Sequence, residues 1–490
     1  MCCFRGLTQR TTELRADKPT HAVLAVALLV LAGCAGTPAR YPQELAAQEQ
    51  ALAPRWYAPP LPHDGKTTEL TQWWQRWADP VLADLIAGAQ ELSPSIAAAR
   101  AQVEAARAAV AGVEVAGRPQ VSAVANAVRE PSIELPLGTT LSAGLQASWT
   151  VDLWGGNAAS VRAARADEAS AGAGWHAARV LVAAETAQAY YGYRLCLRQL
   201  AVVTDDRASR ERTARSNDIT EQAGFTAPAV AALARASAAD GRNRQAQQQA
   251  VCEQQLKGLV ALTGMSEPQL RQQLSEAPPL PGHGALQSML SVRALPADVI
   301  RQRPDVYRAQ QDLMAAAEGV HVSQAALWPS LSLSGNVMRN RFSGGGTDIT
   351  LNSWSVGPFT LSLPLLGREG LRAQASAAEA RYEAAARAYA ATLRQAVAEV
   401  EQSLVAQSSL TARVEATATA VDGYDRSLRA TEARYRVGLA NLNELEEARR
   451  LKLAADSASV ALLQERIQAW IALYVALGGG FDPRQALSQE

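Results

Sequence analysis

Aromatic side chains are scarce in this chain, at 5% of 490 residues. Rings normally supply much of a globular core's apolar area, so this core must be built differently. Alanine runs take their place, and alanine favours helices that approach one another closely. Charge of neither sign is in excess, with 47 Lys and Arg against 47 Asp and Glu. A neutral chain exerts no long-range pull on a polyanion, which argues against nucleic acid as a partner. Catalytic patterns are missing as well. The five histidines (His21, His63, His176, His283 and His321) are scattered. No His-Glu-x-x-His, Cys-x-x-Cys or Gly-x-Ser-x-Gly occurs, so no enzyme, metal or cofactor is expected. Ser343-Gly344-Gly345-Gly346-Thr347 lacks a phosphate-binding lysine and reads as a flexible turn.

What is present is stated twice. Pro94 and Pro119 recur as Pro304 and Pro329, each 210 residues on. Asp152-Leu153-Trp154-Gly155 recurs as Pro364-Leu365-Leu366-Gly367, and Gly224 as Gly438. Ala261-Leu262-Thr263-Gly264 recurs as Ala476-Leu477-Gly478-Gly479. A duplication of this kind implies two similar units about a pseudo-axis, which suits a wall or tube better than a single cleft.

The N-terminus reads as an address. Arg15 and Lys18 precede an apolar run from Ala22 to Ala32. The run is too short for a spanning helix but fits a signal peptide. Leu31-Ala32-Gly33-Cys34 closes it like a bacterial lipobox, which makes Cys34 the candidate lipidation site. Glu13 and Asp17 in the leading segment place the expected start downstream of Met1. Ala35 follows the cysteine, and in the lipoproteins this resembles that residue implies outer-membrane sorting. Signal removal leaves Cys34, Cys196 and Cys252, the last two facing an oxidising compartment.

The expected division is a signal over 1–33, a lipidated tether over 34–72, and a first repeat over 73–264. A linker follows over 265–295, then a second repeat over 296–480 and a tail over 481–490. In each repeat a helix is predicted at Ser93-Pro94 and at Arg303-Pro304-Asp305, with proline in the first turn. Two alternating stretches follow. Leu141, Ala143, Leu145, Ala147, Trp149 and Val151 share one face, and small polar residues share the other. Leu331, Leu333 and Val337 do the same, and a phase change at Gly357-Pro358 predicts a bulge. Strands of about ten residues with this alternation suit an outer-membrane barrel. Four strands cannot close a barrel, so membrane insertion requires an oligomer.

Long proline-free tracts come next. A helix over 158–217 would run about 90 Å. Leu393, Val397, Val400 and Leu404 repeat at coiled-coil spacing, as do Leu463, Ile467, Trp470 and Tyr474. Gly224 and Gly438 break these tracts into hairpins. The fold class expected is mainly α with a β-barrel part: an internally duplicated trimeric duct. Each chain gives it four membrane strands and two long coiled-coil-like hairpins.

Several segments together resemble one family: Trp73-Trp74-Gln75-Arg76-Trp77-Ala78-Asp79-Pro80, Ser148 to Gly155, Leu295-Pro296 with Arg303-Pro304-Asp305, Trp328-Pro329-Ser330, Tyr435-Arg436-Val437-Gly438, and Ala476 to Gly480. In order and spacing they are similar to the outer-membrane factors of tripartite efflux and secretion systems. The match is to the lipoprotein branch, the OprM/NodT type within the TolC-like superfamily. The resemblance implies a homotrimer set in outer-membrane lipids. It would meet a periplasmic adaptor and an inner-membrane pump (RND-type), and act as a passive gated duct for small molecules. The alternative is a periplasmic coiled-coil scaffold or adaptor lipoprotein without a channel.

Candidate site residues cluster at the hairpin tips. Gly224 and Gly438 mark the tips and the implied adaptor contact. Glu444 and Glu447 lie three apart, on one helix face. By their distance from Gly438 they match paired carboxylates that line closed apertures in the family. The alternative is a solvated face, since Glu446, Arg449 and Arg450 stand beside them. Tyr435 matches a gate-latching tyrosine, but its usual partners fail: Ala440 and Val230 stand in their places. Arg207, Arg210, Arg212 and Arg215 form either an adaptor contact or a solvated basic face. Cys196 and Cys252 each lie 28 residues from Gly224. An antiparallel hairpin puts them level, either as a disulfide or as two buried thiols.

Overall fold

The computed structural model describes Trp74, residues 79–131, 137–280, 282, 286, 300 and 303–481. The signal segment, Cys34, the tether, Trp73, Trp77, Leu295-Pro296 and the tail beyond 481 lie outside the described residues. The chain order is α1 (Pro80–Leu92), α2 (Pro94–Ala116), β1 (Gln120–Glu130), β2 (Gly138–Val151), α3 (Gly156–Gln222), α4 (Pro228–Thr263) and α5 (Glu267–Ser275). Then come α6 (Pro304–Ala325), β3 (Ser330–Gly344), β4 (Thr347–Ser362), α7 (Arg368–Arg436), α8 (Leu442–Ala476) and a 3-10 turn (Gly478–Gly480). Helix–sheet–helix–helix is thus written twice, in the order the repeated anchors mark.

The two long rods are α3 with 67 residues and α7 with 69, each about 100 Å long. Near the sheet they pack against α2 and α6, and towards the tips against α4 and α8. Alanine makes the close approach possible: Ala159, Ala187, Ala231 and Ala396 are all 0% exposed. The main core lies where α1, α3, α4 and α8 meet, around Tyr190, Leu256, Leu259, Trp470 and Ile471. Each large side chain buried there contributes about 1.5–3 kcal/mol. Satellite cores sit between α6 and α7 (Leu313, Tyr389, Leu393) and at the tips (Ala234, Leu442, Leu445).

Two polar knots fix the helix ends to the rods. Asp79 caps α1 by accepting from the Leu82 N–H at 3.2 Å. Its other oxygen accepts from the Tyr190 hydroxyl at 2.7 Å and from Arg194 at 3.2 Å. Ser93 caps α2 through the Ile96 N–H, as the sequence predicts. Its counterpart in the second repeat behaves differently: Arg303 precedes α6 without a side-chain cap. Its buried guanidinium instead forks to Asp305 and Glu399 and donates to the Ala476 carbonyl at 2.9 Å. That contact ties the start of the second repeat to the end of the chain. A helix, α5, also occupies the expected linker; Pro268 in its first turn was the available signal.

The four strands form one antiparallel sheet in the order β1-β2-β3-β4. Gly345 and Gly346, with φ of 59° and 83°, make the two-residue turn between β3 and β4, a turn type that needs positive φ. Leu333 faces Phe359 while Gly335 faces Val356, so β4 carries one extra residue opposite Ser334. This is the bulge expected at Gly357-Pro358. One face reads Leu145, Val337 and Trp354 across neighbouring strands, and the other Gln146, Asn336 and Ser355. No helix among the described residues is long and apolar enough to cross a membrane.

Candidate gate at the hairpin tips

Both tips are built the same way. At the end of α3, the Phe225 N–H reaches the Thr220 carbonyl at 2.8 Å and Gly224 reaches Glu221 at 2.9 Å. At the end of α7, Leu439 reaches Arg434 at 2.8 Å and Gly438 reaches Tyr435 at 3.1 Å. This paired closure needs a left-handed residue, and Gly224 and Gly438 supply φ of 78° and 77°. Pro228 then opens α4, and a capping box between Asn441 and Glu444 opens α8. Phe225, Val437 and Leu439 are left largely exposed, at 86%, 70% and 70%. A cleft of about 510 Å³ between the tips is lined by Asn217, Phe225, Val230, Leu233, Tyr435 and Leu442.

Tyr435 packs on the tip core and finds a partner that the sequence reading did not name. The buried Asn217 donates through Nδ2 to the Tyr435 hydroxyl at 2.8 Å and to the Thr213 carbonyl at 2.9 Å. This bond joins α3 of the first hairpin to α7 of the second.

Glu444 and Glu447 are both exposed, and each has an arginine. Glu444 holds its capping box and lies 3.6 Å from Arg434. Glu447 accepts two bonds from Arg450. The Arg450 guanidinium beside it holds the Glu447 carboxyl below its ordinary range. Neither carboxylate stands alone, so the charge each presents is partly compensated.

The carboxylate between them is the most heavily bonded. Glu446 accepts from Ser237 at 2.7 Å, from Arg449 at 2.9 Å and from Arg210. Arg210 also holds Asp206 at 2.9 Å, and Arg449 donates to Thr213 at 2.7 Å. Ser209 bonds Glu432 at 3.3 Å. The cluster therefore stitches α3, α4, α7 and α8 together. Arg210 and Arg449 are 7% and 4% exposed, so the charges are compensated inside the bundle rather than by water. This corrects one expectation: Arg210 belongs to neither a solvated face nor an adaptor surface. Arg207 is tied to Glu211 and Gln245, while Arg212 and Arg215 are exposed.

Further along the first hairpin, Cys196 and Cys252 have Cα atoms 5.5 Å apart and bonded sulfurs. The bond crosses from α3 to α4 inside the main core. Among the described residues, no group of His, Cys, Asp and Glu could hold a metal ion.

Comparison with known proteins decides what these tips belong to. The family described as outer membrane efflux protein matches residues 85–265 and 295–479, one stretch in each half of the duplication. The chain belongs to the outer membrane efflux protein family. Among its relatives is the pyoverdine export outer membrane protein OpmQ of Pseudomonas aeruginosa. It is 28% identical over 487 residues, covering 95% of this chain and 98% of the relative. Outer membrane protein OprJ of the same organism is 27% identical, covering 96% and 98%. The fold resembles the CmeC outer membrane channel of Campylobacter jejuni. The TM-score is 0.77 at 21% identity, over 89% of this chain and 98% of that one. As an outer-membrane efflux protein, the chain acts in efflux at the outer membrane, and the scaffold alternative falls away.

Proposed function

We propose that three copies form a closed twelve-stranded barrel in the outer membrane, continuous with a periplasmic tube of helices. The complex is a passive, gated duct that receives small molecules from an inner-membrane pump through a periplasmic adaptor. The supporting observation is the sheet. Its four strands have one apolar face, and β1 and β4 are its two edges. Unpaired edges in a bilayer are costly, and four strands are too few to close. Pairing β1 of one copy with β4 of the next removes every edge at once. Two repeats, 73–264 and 296–480, then supply six similar staves to one tube. Acylation at Cys34 adds a second hold on the membrane.

The gate on this reading lies at the tips, with Glu444 and Glu447 lining the aperture. Tyr435 with Asn217, and Glu446 with Arg210 and Arg449, hold the second hairpin against the first when the duct is closed. Opening must separate those hairpins. Phe225, Val437 and Leu439 beside Gly224 and Gly438 offer the apolar surface for the adaptor. Purified full-length protein should run as a heat-modifiable trimer and conduct ions in planar bilayers. A monomer that stays in the soluble fraction would overturn the proposal.

A further inference from the structure

The apolar face of the sheet does not stay apolar. From the helix end it carries Leu331, Leu333 and Val337 on β3, with Phe359, Val356 and Trp354 beside them on β4. Beyond Val337 the same face changes character within two residues. Arg339 and Arg341 follow on β3, and Arg129 points the same way on β1. The register puts them on one face, with Arg129 across β2 from the pair on β3 and level with Ser343. Arg341 faces Leu141, Arg339 faces Ala143, and Arg129 faces Thr139, which in turn faces Ser343. The partners between them are small or apolar, so the guanidinium groups stand clear of the sheet.

All three arginines are exposed. Arg341 shares a fork with Asp348, at 3.0 and 2.6 Å. Among the described residues, Arg129 and Arg339 make no ion pair. Three cations against one carboxylate leave this rim positive, in a chain whose net charge is zero. Glu130 lies on the opposite face of β1, by strand alternation.

Height decides what meets the rim. Leu331 to Arg339 is eight residues, about 26 Å along a strand. A tilt of about 40° reduces that to roughly 20 Å along the membrane normal, close to the apolar band of an outer-membrane barrel. Charge on the lipid side is costly at mid-bilayer and nearly free at the interface. The arginines therefore sit where headgroups begin, at the end of the sheet remote from the helices. A guanidinium fork matches phosphate oxygens two at a time.

We propose that Arg129, Arg339 and Arg341 form a phosphate-binding rim for the anionic headgroups of phosphorylated lipids in the outer leaflet. The inference rests on the barrel reading above, because it needs the apolar face turned towards lipid. The rim holds the barrel at a fixed depth and surrounds it with bound lipid. Asp348 orients Arg341, leaving Arg129 and Arg339 as the free phosphate contacts.

The test uses the full-length protein in phosphatidylcholine vesicles doped with bis-phosphorylated lipid A or with its dephosphorylated form. Protection of the strands from protease reports insertion. The amount of lipid A that stays with the protein after detergent extraction reports binding. The wild type should retain the phosphorylated lipid in preference to the other. An R129Q/R339Q double variant should insert normally and retain roughly thirtyfold less, given the usual contribution of each surface cation. Arg118→Gln, at the helix end of β1, should behave as wild type. Normal insertion with equal retention of both lipids, or undiminished retention by the double variant, overturns the inference alone. Failure to insert in either vesicle overturns the barrel reading and the rim with it.

Discussion

Replacing Glu446 with Gln should loosen the closed tip while leaving the rods intact. The substitution keeps the size of the side chain and its bond to Ser237. It removes the one negative charge that Arg210 and Arg449 share. Their side chains are 8% and 4% exposed, so water cannot take its place. Losing one partner of a buried pair generally costs about 3–5 kcal/mol. Asp206 still holds Arg210 at 2.9 Å, and Glu432 lies 3.9 Å from Arg449. These residual partners reduce the expected cost to about 2–3 kcal/mol. If opening breaks the cluster, that cost falls mainly on the closed state. The open fraction should then rise by roughly 30- to 150-fold. Planar-bilayer recordings of wild type and E446Q measure it directly, with melting by circular dichroism as the control for folding. Wild-type open probability in a correctly folded E446Q variant would refute the idea that this cluster resists opening.

Other outcomes follow from the same geometry. Tyr435→Phe deletes the Asn217 bond without a large loss of packing; opening should become easier by about 1 kcal/mol, read in the same recordings. Replacing Glu444 and Glu447 together by Gln should weaken cation selectivity and block by multivalent cations; unchanged selectivity removes them from the aperture. Arg450 lowers the Glu447 pKa from 4.5, so the charge persists at pH 4.5 and its share of selectivity fades only at lower pH. Burial raises the hydroxyl pKa of Tyr190 and Tyr191 above 10.0. Their contribution to stability is then full below pH 10 and declines as pH rises further, which a melting series in alkaline buffers checks. Denatured, unreduced protein should show no free thiol at Cys196 or Cys252. Reduction should cost up to about 4 kcal/mol for a loop of 56 residues.

The rods and strands were legible because their signals are local. Leu393 to Leu404 repeats at helical spacing, and Leu141 to Val151 alternates at strand spacing, whatever the rest of the chain does. The Gly357-Pro358 bulge announced itself as a change of phase within one strand. The contacts at the tips were harder. Asn217 reaches Tyr435 across 218 residues, and no local pattern links them. In sequence Glu446 reads only as a neighbour of Glu444 and Glu447. The clue was Glu446 three residues before Arg449, with Asp206 four before Arg210: fixed charge pairs on faces that also carry apolar residues. Arg303 is the converse case. Its likeness to Ser93-Pro94 suggested a helix cap, whereas its side chain is used to hold Glu399 and the Ala476 carbonyl.

Electron cryo-microscopy of the full-length protein in a lipid nanodisc would show the assembly itself. Three chains should surround one axis. Twelve strands cross the bilayer, β1 of each copy pairs with β4 of the next, and a helical tube extends from one side. A single chain, or a sheet lying outside the bilayer with β1 and β4 unpaired, would contradict it.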